Sequence, residues 1–196
     1  MRRDSVEFDH KYEMDQLPAN FDKSGTVDNV SSSGGVTHFE FNNAGFYSDT
    51  DWNSFSTLAR SYGYTIETRA KVISSIGKGI ALTSSDGTYY DTMLLLKSDG
   101  LAWANDSTIT NMVTTDDFHT YRVAKVPDND KFIFWCDGNL VTSALTDGIG
   151  GTPDNRFLFG AIGGTYRGKI EVDYIRYTSG VHYPYVPPKG TTIIVK

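Results

Sequence analysis

From Thr37 onward, short runs in which apolar and polar residues alternate are separated by turns rich in Gly, Asn, Asp and Pro. The clearest run is Tyr64-Thr-Ile-Glu-Thr-Arg-Ala-Lys-Val72. It puts Ile66, Thr68, Ala70 and Val72 on one face, and Thr65, Glu67, Arg69 and Lys71 on the other. A period of two with one dry side and one polar side predicts a β-strand. Thr37–Phe41, Gly79–Thr83, Asp91–Lys97, Leu101–Ala104, His119–Val126, Lys131–Cys136, Arg156–Ala161 and Lys169–Tyr177 follow the same logic. Asp99-Gly100 and Asp137-Gly138 have the chemistry of tight hairpin turns, because glycine accepts the positive φ they need. Helical periodicity is confined to a turn or two around Asp51 to Ala59, and no internal repeat of the propeller or solenoid kind is present. Ten or more strands without helices between them predict an antiparallel sandwich or barrel. The sandwich is expected to occupy residues 1–182, and the proline-containing segment 183–196 reads as an extended tail or linker.

Composition agrees with this pattern. Gly 19, Tyr 12, Phe 11 and Trp 3 within 196 residues supply the turn formers and aromatics that pleated, half-buried strands require. A chain of this length suits one β-sandwich better than two α/β domains. The formal net charge of -6 and the lack of any basic run beyond Arg2-Arg3 exclude nucleic acid as the expected partner. No apolar run approaches the roughly 18–20 residues of a membrane span. The single cysteine, Cys136, excludes an intramolecular disulfide and reads as a buried, inert thiol.

Three ordered segments resemble the sandwich of family 16 glycoside hydrolases and of related laminin-G-like domains. Tyr62-Gly-Tyr-Thr-Ile-Glu-Thr-Arg-Ala-Lys-Val72 is similar to the family's Tyr-Gly-Tyr-x-Glu-x-Arg-x-Lys strand. Phe118-His-Thr-Tyr with Pro127-Asp and Asp137-Gly138 is similar to its Phe-His-x-Tyr, Pro-Asp and Asp-Gly hairpin. Lys169-Ile-Glu-Val-Asp-Tyr-Ile-Arg-Tyr177 is similar to its last strand. The resemblance implies an all-β, concanavalin A-like jelly roll of two antiparallel sheets. The family's acid strand, Glu-x-Asp-x-x-Glu, has no counterpart: Tyr89-Tyr-Asp-Thr-Met-Leu-Leu-Leu-Lys97 supplies only Asp91. A retaining glycosidase needs two carboxyls about 5 Å apart, and the remaining spaced pair, Glu171 and Asp173, falls on the terminal strand. A jelly-roll lyase is the second enzymatic reading, through Tyr177-Thr-Ser-Gly-Val-His-Tyr183. Its Gln-x-His strand is missing, since the only glutamine is Gln16.

These residues make a non-catalytic carbohydrate-binding domain the expectation, secreted or displayed on a cell surface beside other domains of a larger protein. A lyase or hydrolase with another constellation, and a structural or interaction module, are the alternatives. Sugar rings stack on aromatic faces while polar side chains take their hydroxyls, so Trp103, Trp135, Tyr89, Tyr90 and Tyr166 are the platform candidates. Trp135 alternates against Phe132 and Phe134, and register decides which of them leaves the core. Glu67 and Arg69, with Arg122 on the neighbouring strand, are expected on the concave floor. The resemblance further implies a structural calcium at Asp173 with backbone carbonyls near an early glycine, Gly35 or its neighbour Gly34. His38, His119 and His182 are too widely spaced to read as a zinc set, and His119 reads as ordering a strand start.

Overall fold

The computed structural model of the chain describes residues 6–43, 45–87, 92–103, 108–127, 131–145 and 155–184. Its elements in order are β1 (His10–Glu13), β2 (Phe21–Ser24), β3 (Val27–Ser33), β4 (Val36–Asn42), β5 (Phe46–Asp49), α1 (Trp52–Ala59), β6 (Tyr64–Gly77), β7 (Ile80–Asp86), β8 (Thr92–Lys97), β9 (Gly100–Trp103), β10 (Thr108–Thr110), β11 (His119–Lys125), β12 (Lys131–Cys136), β13 (Asn139–Leu145), β14 (Asn155–Gly160) and β15 (Tyr166–Ser179). Two antiparallel sheets result. Sheet A runs β13-β12-β11-β6-β15-β4-β3, with β1 added along the second half of β15. Sheet B runs β10-β9-β8-β7-β14-β5-β2. They face one another as the jelly-roll sandwich the alternation predicts.

The core lies between the sheets. Ile66, Ala70 and Val72 of β6, Phe132 and Phe134 of β12, and Tyr177 of β15 meet Leu82, Leu94, Phe157 and Phe159 of sheet B. The Tyr64 hydroxyl reaches Ser84 Oγ across the gap at 3.1 Å. Strand β15 is long enough to serve both halves of sheet A only because it is re-phased. Its register shifts between Val172 and Tyr174, so Val172 and Ile175 are both buried while Asp173 is the extra residue of a bulge. Gly34 and Gly35 form the two-residue β3–β4 turn with φ of 63° and 84°, a conformation that favours glycine.

The expected hairpins at Asp99-Gly100 and Asp137-Gly138 are present. The short helix α1 lies where the weak periodicity put it. Trp52, Phe55, Ser56 and Ala59 are its buried side, at i, i+3, i+4 and i+7. Strands β1, β2, β3, β5 and β10 are additions that the apolar pattern did not show. No helix among the described residues is long and apolar enough to cross a membrane.

The expected tail begins differently from a free linker. Residues 180–184 run along the outer face of sheet A: Thr65 Oγ1 donates to the Gly180 carbonyl at 2.7 Å, and Tyr183 packs edge-on against Trp135 at 5.3 Å. Residues 185–196 lie outside the described residues.

Candidate functional site

Glu67, Arg69 and Arg122 do stand together on the outward face of sheet A. Strands β6 and β11 belong to sheet A, whereas β8 belongs to sheet B. Alternation separates inside from outside and carries no information about which sheet a strand joins. Register sets Arg122 of β11 and Arg176 of β15 directly opposite Glu67, one on each side. Arg122 Nε donates to Glu67 Oε2 at 2.7 Å, Tyr174 Oη to Oε1 at 2.8 Å, and Arg176 also pairs with Oε1. Phe8 lies under the Arg176 guanidinium, 4.4 Å from its ring centroid. Glu67 is 2% exposed and Arg122 3%. Burial and the Glu67 charge push the Tyr174 hydroxyl up to about 12. This is a bolt across three strands, and Glu67, Arg122 and Arg176 line a cavity of about 340 Å³ together with Thr120, Asp137 and Pro184.

Arg69 lies beside that bolt, over the Phe118 ring at 4.9 Å, and its guanidinium holds the Asp173 carboxylate. The Asp173 carbonyl accepts the Met14 N–H at 2.8 Å. Calcium takes six to eight oxygens and favours carboxylates. Here a guanidinium already supplies the positive charge, and Gly35 is accounted for by its turn. The donor set therefore does not fit a calcium ion while Arg69 is paired. Millimolar calcium is expected to leave the melting temperature unchanged; a rise would reveal an ion bound to the native state by mass action.

The aromatic candidates separate. Trp135 pairs with Arg122 and so faces out of sheet A, while Phe132 and Phe134 enter the core. It is nonetheless 4% exposed, covered by Val181 and Tyr183 in a small second cluster with Ala124 and Ile133. Trp103 pairs with Leu94 on the inward row of β9 and is half-buried. Tyr166 is buried, beneath the Lys78 ammonium. Tyr89, Tyr90 and Asp91 lie outside the described residues. The described part of β8, Thr92–Lys97, contains no carboxylate. Among the described rings, Trp135 and Tyr166 are buried and Trp103 is half-buried, so none is an open platform.

A groove of about 520 Å³ runs between α1 and β1, lined by Asp9, His10, Asp51, Ser54, Phe55, Leu58, Ala59, Tyr62 and Ser179. Leu58 is 77% exposed and Tyr62 69%, although both are large and apolar. The wall behind them is firm. Trp52 Nε1 donates to the Ser85 carbonyl at 2.7 Å, which ties α1 to β7, and His10 stacks on Tyr177 at 4.4 Å. Beneath the groove, Asp49 accepts from the Tyr177 hydroxyl at 2.7 Å, the Tyr12 hydroxyl at 3.0 Å and the Asp51 N–H at 2.9 Å. Asn20 Nδ2 then holds Asp51 Oδ2 at 2.9 Å. Sequence reasoning missed this groove. Its one signal was Leu58, an apolar residue on the side of a short amphipathic segment that should be polar.

Burial raises the Asp49 carboxyl above its ordinary value despite these donors. Its protonated form is thus favoured by folding. The stability this contributes is full below the unfolded carboxylate range and is lost as pH rises through the raised folded value. Wild type should therefore gain stability relative to Asp49→Asn as pH falls from neutral towards about 4, in denaturant melts at each pH. A difference that stays flat, or moves the other way, would contradict the buried acid.

No family model matches the sequence, and no curated protein matches it. Solved structures do. A native glycosidic hydrolase aligns with a TM-score of 0.60 at 18% identity, covering 88% of this chain and 96% of that one. The Bacillus licheniformis β-glucanase aligns at 0.57 and 16% identity, covering 87% and 97%. The carbohydrate recognition domain of Emp46p, in a point-mutant form, aligns at 0.60 and 14% identity, covering 90% and 100%. At these identities the likeness speaks for the architecture alone, and it agrees with the two antiparallel sheets of a jelly-roll sandwich.

Proposed function

We propose that this domain binds carbohydrate without cleaving it, and that a neutral sugar sits in the groove between α1 and β1. The observation that carries the reading is the pairing of exposed apolar surface, Tyr62 and Leu58, with His10, Asp51 and Ser54 around one cavity. A sugar needs that combination: a ring face for its C–H groups and hydrogen-bonding side chains for its hydroxyls. Asp9 and Asp51 on the rim disfavour uronates and sulfated sugars, because like charges would be brought together on binding. The same fold in a β-glucanase and in a carbohydrate recognition domain supports the ligand class. The described part of β8 offers no carboxylate, which supports binding over hydrolysis. Such a module belongs to a secreted or cell-surface protein, beside other domains.

Calorimetry against neutral β-glucans, alginate and a set of host glycans tests this. Binding to a neutral glycan is expected, and Tyr62→Ala should weaken it about tenfold, or about 1.4 kcal/mol. Because Tyr62 is 69% exposed, the melting temperature should not move. Failure to bind any polysaccharide at millimolar ligand would end the proposal. New reducing ends or unsaturated products would show an enzyme instead.

A further inference from the structure

The loop end of sheet A holds a second cluster, unrelated to the groove. Strand β11 begins at His119 and β12 ends at Cys136, and the β11–β12 register places Tyr121 opposite Cys136. His119 is therefore brought to the turn that follows Cys136. There its Nδ1 meets Asp137 Oδ2 at 2.7 Å, and its Nε2 meets Asp116 Oδ1 at 3.0 Å. Cys136 Sγ lies 3.8 Å from the same Asp137 oxygen. One donor atom each from His119, Cys136 and Asp137 thus falls within 4.8 Å of the others.

We infer that His119, Cys136 and Asp137 form a binding site for a borderline-soft divalent cation, zinc above all, with Asp116 as the outer carboxylate on the histidine. Three protein donors of mixed N, S and O type are what an open zinc site uses, the fourth position being left to water. Zinc–ligand bonds of about 2.0–2.3 Å at tetrahedral angles set the donor atoms roughly 3.4–3.6 Å apart. A small rotation of the Asp137 carboxylate away from the imidazole opens the cluster to that spacing. Asp116 occupies the position from which a carboxylate orients a metal-bound histidine through its second ring nitrogen. Asp137 is held from behind, since its Oδ1 accepts the Thr120 N–H at 2.8 Å. Its side chain is 46% exposed while that of His119 is 13%, so the ion has a way in from solvent past Asp137.

A separate observation points to the same place. Tyr121, the next inward residue on β11, is fully buried, and its hydroxyl has no hydrogen-bond partner among the described residues. Its ring centroid lies 6.2 Å from that of the His119 imidazole. Without an ion, burial and the Asp137 charge push the Cys136 thiol up to about 12, which agrees with an inert cysteine. Binding then releases the thiol proton, and the ring nitrogen's where it carries one, to solvent.

Cobalt(II) is the probe, and the chain's single cysteine makes the readout unambiguous. A thiolate-to-cobalt charge-transfer band in the wild-type protein can come only from Cys136. Titration should give that band with one ion per chain, and added zinc should displace it. Cys136→Ala should abolish it, His119→Gln should weaken binding at least tenfold, and Asp116→Asn should weaken it about 10- to 100-fold. The wild-type spectrum needs no variant to fold. Absence of the band at millimolar cobalt would overturn the assignment. So would a band whose affinity is unchanged in both His119→Gln and Asp116→Asn.

Discussion

Glu67→Ala should lower folding stability by about 3–5 kcal/mol, the cost of removing one member of a buried ion pair. Glu67 and Arg122 are both almost completely buried, and Arg176 and Tyr174 end on the same carboxylate. Removing the acid takes away the carboxylate on which the Arg122 and Arg176 guanidinium groups, both over the Phe8 ring, converge. The companion variant separates pair breakage from net worth. Replacing Glu67 and Arg122 together by apolar residues of similar volume should recover most of the loss, because desolvating two ions offsets much of their attraction. Denaturant melts of the single and double variants form the cycle that measures this coupling. A single variant within about 0.5 kcal/mol of wild type would show the cluster to be solvated, as surface pairs are. The bolt should also matter little to sugar binding, since it stands apart from the groove. Glu67→Gln, which keeps shape and part of the hydrogen bonding, should retain glycan affinity while losing stability.

The same residues show how far the sequence could be read. The strict alternation of Tyr64–Val72 assigned Ile66, Ala70 and Val72 to the core and Glu67 and Arg69 to the outer face, and both assignments hold. Alternation is a property of one strand and its pleat, so it could not say that β6 joins β15 and β11 while β8 joins the other sheet. Nor could it show that Asp173, expected apart from these residues, is the partner of Arg69. Strand β1 was invisible for a different reason. His10-Lys-Tyr-Glu13 has little β-propensity of its own, and its pairing with Tyr174–Tyr177 and the Tyr12 contact to Asp49 hold it in place. The groove collects residues from positions 9 to 10, 51 to 62 and 179, which only closure of the sandwich brings together. His119 was legible as a strand start. Its meeting with Asp137, 18 residues away, required the β11–β12 register.

Trp52→Ala should be the most damaging change near the groove, at about 3–5 kcal/mol. Trp52 is fully buried and meets four other rings: Phe55 at 5.2 Å, Tyr64 at 5.1 Å, Phe157 at 5.5 Å and Tyr177 at 5.0 Å. It opens α1, and its indole N–H ends on β7, so packing and a hydrogen bond both converge on the one residue that fixes the helix. Truncation leaves a cavity where several rings meet, and such a site cannot collapse around the loss. For a domain of this size the melting temperature should fall by roughly 2–4 °C per kcal/mol. Trp52→Phe keeps most of the packing and removes the indole hydrogen bond to the Ser85 carbonyl, which costs about 0.5–1.5 kcal/mol. The order alanine, then phenylalanine, then wild type is expected in thermal melts. Glycan affinity should follow the same order at a temperature where each variant is still folded, because Leu58 and Tyr62 are presented by the helix and the turn after it. If Trp52→Ala loses stability while keeping full affinity, the ligand does not depend on α1, and the sugar must be sought on another face of the sandwich.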